Sequence, residues 1–197
     1  MWNYFLKGGP LMYPLLLCSI LSLAIVIERS VYYFVIGRRN KNLIQEVENT
    51  LAHKDWSVLR KIIENCSSPL ANVLLAGLNK FNEGKENMEK TMEATGLLEV
   101  SRLERYLPIL AAIASISTLL GFTGTVTGMI RAFTSIAETG ISSPAIVGSG
   151  IAEALITTAA GLIIAIPTIV FYYYFTHRVD RFVLEIEEYS QELLELR

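Results

Sequence analysis

Six serine and threonine hydroxyls fall inside a run of 25 residues, Tyr106 to Ile130, that carries no formal charge: Ser115, Ser117, Thr118, Thr123, Thr125 and Thr127. At helical spacing Ser115, Thr118 and Thr125 share one face, with Phe122 on the same stripe. A second charge-free run, Ala154 to Thr176, brings Thr157 and Thr158, and Glu153 stands just before it. Two kinds of chemistry are open to these groups. Each hydroxyl can bond the carbonyl four residues back and serve helix packing alone. Aligned along an apolar helix, the same hydroxyls can hold water and relay a proton. Such a relay needs hydrogen-bonding groups more than fixed charge, because a fixed charge tends to hold an ion instead of passing it. Glu153 at mid-membrane depth would be costly and would point to function. At the mouth of a span it would not, and the sequence leaves its depth open.

Other chemistries find little support. The two histidines, His53 and His177, lie outside the apolar runs and read as solvated side chains. Cys18 lies in an apolar run and Cys66 in a charged block, so they are not expected to pair. No CxxC or HExxH spacing occurs, and neither a metal nor a cofactor is expected. The net charge of −2 and the absence of a large basic patch argue against nucleic acid as a partner.

The elements that must hold the hydroxyls are read from where charge is missing. Of 197 residues, 52% are apolar and 18% charged, against about 25% charged in an average soluble domain. Residues 1–36 hold three charges, 37–105 hold 21, 106–176 hold three and 177–197 hold nine. That distribution excludes a simple soluble globule, a disordered chain and a secreted disulfide scaffold. A helix of about 20 apolar residues crosses a bilayer and satisfies its own backbone there. Three spans follow. The first runs from Leu11 to Ile27 and, after Glu28-Arg29, from Ser30 to Ile36. The second and third are the two charge-free runs. The first exceeds the core of a signal peptide and lacks a cleavage site, so it is read as retained.

Residues 37–105 contain 11 of the lysines and arginines, the stretch 138–147 has none, and the amino-terminal tail has only Lys7. The positive-inside rule puts 37–105 and 177–197 in the cytoplasm and the amino terminus outside. The expected order is therefore 1–36, external amino terminus and first span; 37–105, a cytoplasmic helical domain; 106–137, second span; 138–147, external loop; 148–176, third span; and 177–197, a cytoplasmic helix. Glu28-Arg29 is read first as an interfacial pair with Arg29 snorkelling to the surface, ahead of a buried pair contacting another subunit.

Within 37–105, Leu43, Ile44, Val47 and Leu51 recur at helical spacing, Pro69 suits a first helical position after Ser67-Ser68, and Asn82-Glu83-Gly84 marks a break. Glu86 to Leu107 reads as an amphipathic helix leading into the second span, with a bend near Pro108. Val179, Phe182, Ile186, Tyr189, Leu193 and Leu196 form a short heptad stripe, expected to continue the third helix and pack against the 86–107 helix. Gly121, Gly124 and Gly128 on the second span, and Ala159, Ala160 and Gly161 on the third, allow close helix approach. Pro167 removes one backbone hydrogen bond and predicts a kink.

The stretches Leu119–Ile130 (LLGFTGTVTGMI), Gly150–Leu155 (GIAEAL) and Thr157–Pro167 (TTAAGLIIAIP) resemble the MotA/TolQ/ExbB proton-channel family. The resemblance covers about 106–175, with long motifs in the family's order and spacing. The three-span plan and Leu23–Arg29 (LAIVIER) also resemble ExbB and TolQ, whereas a flagellar stator of the MotA kind has four spans and a larger cytoplasmic domain. The resemblance implies an all-α inner-membrane protein whose long second and third helices extend into the cytoplasm. It implies a homopentameric ring around single-span ExbD- or TolR-like partner helices, with a TonB- or TolA-like envelope protein receiving the work. In that family the partner supplies the proton-carrying aspartate and this subunit a hydroxyl-lined path. The matching residues are Thr125 and Thr158, with Glu153 at the family's acidic position. One departure stands out: where the family has a proline in an APLLG-like stretch, Thr118 occurs here and adds a hydroxyl to the Ser115/Thr125 face.

Two other readings remain beside this one. An intramembrane enzyme built on Glu153 lacks a second membrane acid, histidine or cysteine to complete a site. A membrane scaffold would need only the glycine faces and the helical domain.

Overall fold

The computed structural model describes residues 2–51, 56–139 and 144–195, leaving His53 and Leu196 outside the described residues. Every regular element there is helical: α1 (Trp2–Lys7), α2 (Met12–Leu51), α3 (Trp56–Glu64), α4 (Pro69–Asn79), a short 3-10 turn (Phe81–Glu83), α5 (Lys85–Glu104), α6 (Leu107–Thr139) and α7 (Pro144–Glu195). Three helical stretches are long and apolar enough to cross a membrane. This is an all-α membrane protein. α7 runs for 52 residues with Pro167 inside it. α6 continues to Thr139 and α7 opens at Pro144, so helix enters the stretch read as a loop over 138–147. Pro144 suits that opening, since the first helical N–H has no partner to lose.

The chain forms two compact units: Met1–Ile27 with Tyr106–Tyr173, and Glu28–Arg105 with Tyr174–Arg197. In the first, a stripe of buried small residues runs along α6 (Ala114, Ser117, Gly121, Gly124, Gly128 and Ala132) and meets its counterpart on α7 (Gly150, Ala154, Thr157, Gly161 and Ala165). Apolar surface remains exposed elsewhere on these helices, for example Leu119, Phe122 and Phe133 on α6 and Leu155, Ile163 and Val170 on α7. Such surface suits lipid or neighbouring chains rather than water.

The second unit has a conventional core. Leu43 and Val47 of α2, Leu59 and Ile63 of α3, Leu70 and Leu74 of α4, Met88 and Met92 of α5, and Ile186 and Leu193 of α7 form one buried cluster. Local chemistry sets its turns. Ser68 caps α4 by accepting from the Ala71 N–H at 3.2 Å, with Pro69 in the first position. The α7 tail shares this cluster with α5, the helix the sequence reading sets against it, and its polar and ring contacts run to α2. Asn40 donates to Glu185 at 3.1 Å, the Tyr189 hydroxyl donates to Glu48 at 2.7 Å, and Phe175 and Phe182 contact Tyr33. Met88 and Met92 supply the α5 part of that cluster.

Arg29 departs furthest from its sequence reading. It does not snorkel: only 3% of it is exposed. The last carbonyls of a helix have no partner within it, and α5 ends at Glu104. Arg29 Nη1 donates to Leu103 O at 3.0 Å and Arg102 O at 3.4 Å, and the Tyr33 hydroxyl donates to Leu103 O at 2.8 Å. Glu28 pairs with the Arg29 Nε at 2.9 Å. A cation on a helix C-terminus is also favoured by the helix dipole, so the α5 end holds Arg29 in place.

Candidate functional site

The α6–α7 seam sets where the candidate hydroxyls point. A Cβ on Gly161 would stand 2.5 Å from Ser117 O and 3.0 Å from Gly121 Cα. One on Gly121 would meet Thr158 Cα at 3.3 Å, and one on Gly128 the Gly150 carbonyl at 2.8 Å. Backbone atoms block these positions, so nothing larger than hydrogen fits without parting the helices. Gly124 is closed off by the Thr157 side chain. Gly150, absent from the sequence reading of the seam, belongs to it, since its own Cβ would lie 2.7 Å from Ala132 Cβ. Its signal was the recurrence of small residues at four-residue spacing, Gly150 to Ala154, on α7.

Thr158 lies in this seam. Its hydroxyl donates across to Gly121 O at 2.9 Å and along its own helix to Ala154 O at 3.1 Å. Thr157, 1% exposed, donates to Gly8 O at 2.8 Å and Glu153 O at 2.9 Å, fastening the turn before α2 onto α7. Ser117 is fully buried at the same seam, and its Oγ has no hydrogen-bond partner among the described residues.

Ser115, Thr118 and Thr125 lie off the seam. Ser115 and Thr118 border a groove of about 210 Å³ with Leu162, Ala165 and Ile166 of α7. Thr125 borders another, of about 500 Å³, with Val126, Met129, Ile130 and Phe133. Each hydroxyl donates to its own helix: Ser115 to Ala111 O at 3.2 Å, Thr118 to Ala114 O at 3.1 Å and Thr125 to Phe122 O at 2.6 Å. With its proton so committed, a hydroxyl keeps lone pairs that accept from water, hydronium or a protonated carboxyl group. Thr158 borders neither groove.

Glu153 forms an ion pair with Arg131, their side chains 20% and 52% exposed. The pair lines a cavity of about 400 Å³ with Lys7, Ser135 and Ser149. Gly9 has a φ of +73°, and a Cβ there would strike the Glu153 carboxylate. The sequence reading singled out Glu153 alone and did not pair it with Arg131. They were legible as a couple, being two of only three charges in residues 106–176. Among the described residues no group of His, Cys, Asp or Glu could hold a metal ion. Pro167 lies within α7, and the next residue's hydroxyl, Thr168, donates to Ile164 O at 2.7 Å.

Residues 65–188, well over half the chain, match the MotA/TolQ/ExbB proton channel family. The chain belongs to this family. Among its MotA/TolQ/ExbB relatives, an ExbB-like biopolymer transport protein (ExbB-like 1) of a Synechocystis species is 39% identical over 166 residues, 82% of this chain and 65% of that protein's length. The biopolymer transport protein ExbB of Salmonella typhimurium is 32% identical over 195 residues, covering 94% of this chain and 80% of the relative. The Tol-Pal system protein TolQ of Haemophilus influenzae is 33% identical over 181 residues, 82% of this chain and 76% of the relative. As in the sequence reading, ExbB and TolQ are both represented. The matched region takes in α6 and most of α7, and with them the seam, both grooves and the Arg131–Glu153 pair.

Proposed function

We propose that this chain is the proton-channel subunit of an inner-membrane ExbB/TolQ-type motor, converting proton motive force into mechanical work on an envelope partner. In this reading five copies form a ring, and α6 and α7 of each surround the transmembrane helices of a single-span ExbD- or TolR-like protein. The partner's membrane aspartate carries the proton, and a TonB- or TolA-like protein receives the work. The amino terminus lies outside, and 37–105 and 177–197 form the cytoplasmic portion. Family membership supports this reading. The observation that carries it is the hydroxyl face of α6, where Ser115, Thr118 and Thr125 border grooves with their protons already donated to the helix. Such oxygens accept from a protonated carboxyl group and release it when the proton leaves. Changing protonation would alter which contacts the partner's aspartate prefers and so drive stepwise movement of one ring against the other. Gly121, Gly124, Gly128 and Gly161 serve as the seam, Pro167 as a local weakness in α7, and Glu153 as the polar mouth of the path. No residue is assigned a catalytic role.

Thr125 gives the cleaner test than Thr158, because replacing Thr158 also removes a bond between helices. Thr125→Val keeps the shape and loses the hydroxyl, while Thr125→Ser keeps it. With the partner co-expressed, motor-dependent uptake or envelope integrity is expected to fall severalfold in Thr125→Val and survive in Thr125→Ser, at equal amounts of assembled protein. Full activity of Thr125→Val would remove the hydroxyl path from the mechanism.

A further inference from the structure

The second unit holds a cationic groove that the motor reading does not use. Arg38 and Lys41 of α2 face Arg178 and Arg181 of α7 across a groove of about 460 Å³. The Arg38 guanidinium lies 4.4 Å over the Phe34 ring and the Arg178 guanidinium 5.9 Å from the Phe182 ring. No ion pair joins any of the four cations to an acid among the described residues. The Arg178 Nε is buried without a hydrogen-bond partner among the described residues. One acid, Glu185, also lines the groove, but it accepts from Asn40 at 3.1 Å. Four cations against one acid leave a formal excess of three positive charges, so the groove is complementary to an anion.

Position and lining say which anion. The groove opens just beyond the points where the apolar runs end, at Ile36 and Thr176, which is the depth of lipid headgroups. Its wall includes Phe34 and Ile44, and α2 continues from it with exposed Val31 and Val35. An occupant with a negative head and hydrocarbon tails matches both parts. Arginine is suited to the head, since its planar fork grips phosphate oxygens in pairs. The geometry points to a binding site for one anionic phospholipid, its phosphate between Arg38, Lys41, Arg178 and Arg181 and its acyl chains along α2. The site is independent of the motor reading and needs only a membrane-embedded chain.

Full-length protein in mild detergent, titrated with phosphatidylglycerol or phosphatidylcholine and read by native mass spectrometry, tests this. Phosphatidylglycerol should bind at least tenfold more tightly than phosphatidylcholine. Each cation near a headgroup contributes about fivefold, so Arg178→Gln/Arg181→Gln should weaken phosphatidylglycerol roughly 25-fold. Lys61→Gln, at an exposed position of α3, should change nothing. Raising salt from about 0.05 to 0.5 M should weaken binding to the unaltered protein severalfold, a readout that holds even if the double variant fails to fold. Equal affinity for the two lipids, or an unaffected double variant of normal oligomeric size, would overturn the assignment. So would displacement of the lipid by equimolar inorganic phosphate, which marks a small-anion site. Displacement by a peptide of the acidic stretch 185–195 at lower concentration than the lipid would give the groove to a second copy and equally overturn it.

Discussion

Replacing Gly161 with alanine tests the seam. The added Cβ meets Ser117 O at 2.5 Å and Gly121 Cα at 3.0 Å, and neither backbone atom can swing aside. Restoring ordinary contact, about 3.4 Å, parts the helices by roughly 0.9 Å at that level. The Thr158–Gly121 hydrogen bond, 2.9 Å in the native chain, then stretches to about 3.8 Å, beyond useful reach. Overpacking costs about 1–3 kcal/mol and the lost interhelical bond about 0.6 kcal/mol. Alanine's better helix propensity offsets up to about 1 kcal/mol. The net loss is roughly 0.5–2.5 kcal/mol on these terms. Gly148 is the control: it lies on the same helix with nothing within 4 Å of its would-be Cβ, so Gly148→Ala gains up to about 1 kcal/mol. Reversible unfolding in mixed micelles should separate the two variants by about 1.5–3.5 kcal/mol. Thr158→Val should then add its own penalty to the wild type and almost none to Gly161→Ala, where the bond is already broken. Equal stability of the two alanine variants, or full additivity of Gly161→Ala with Thr158→Val, would refute the reasoning.

Two further perturbations reach other parts of the chain. Arg29→Met leaves the Leu103 carbonyl with Tyr33 alone and should destabilise the second unit by about 1.5–3 kcal/mol, the range for bonds from charged donors; hydrogen exchange across residues 102–107 should quicken first. Arg29→Lys should recover only part of this, lacking the forked donor. Gly9→Ala should cost about 1–2 kcal/mol for its left-handed backbone and also displace Glu153. Adding Glu153→Ala should relieve the displacement but not the backbone penalty, while Glu153→Gln alone, against a half-exposed Arg131, should cost no more than about 1 kcal/mol; thermal unfolding of the four proteins checks this.

The sequence made legible those features whose physics is local or one-dimensional. Exclusion of charge from a bilayer writes itself along the chain, so the runs around Tyr106–Ile130 and Ala154–Thr176 were readable without any partner. The glycines at 121, 124 and 128 were readable too, because close approach demands small residues at helical spacing. Pairings across the chain were not. An arginine in an apolar stretch looks the same whether it snorkels or caps a helix, and the carbonyl that holds Arg29 lies 74 residues away. Thr158 was singled out as a hydroxyl, but only its distance to Gly121 reveals a tie between helices. The groove of Arg38, Lys41, Arg178 and Arg181 joins residues about 140 apart in sequence, each one unremarkable as the usual basic flank of a span.

α7 runs without interruption from Pro144 to Glu195, and this gives it the character of a shaft. Its stiffness comes from a ladder of backbone bonds, and the one rung Pro167 cannot make concentrates bending there. Bending of α7 is therefore expected at Pro167 more than along the stretch after it. Spin labels bracketing Pro167 should therefore report a broader range of separations than a pair equally spaced nearer Glu195.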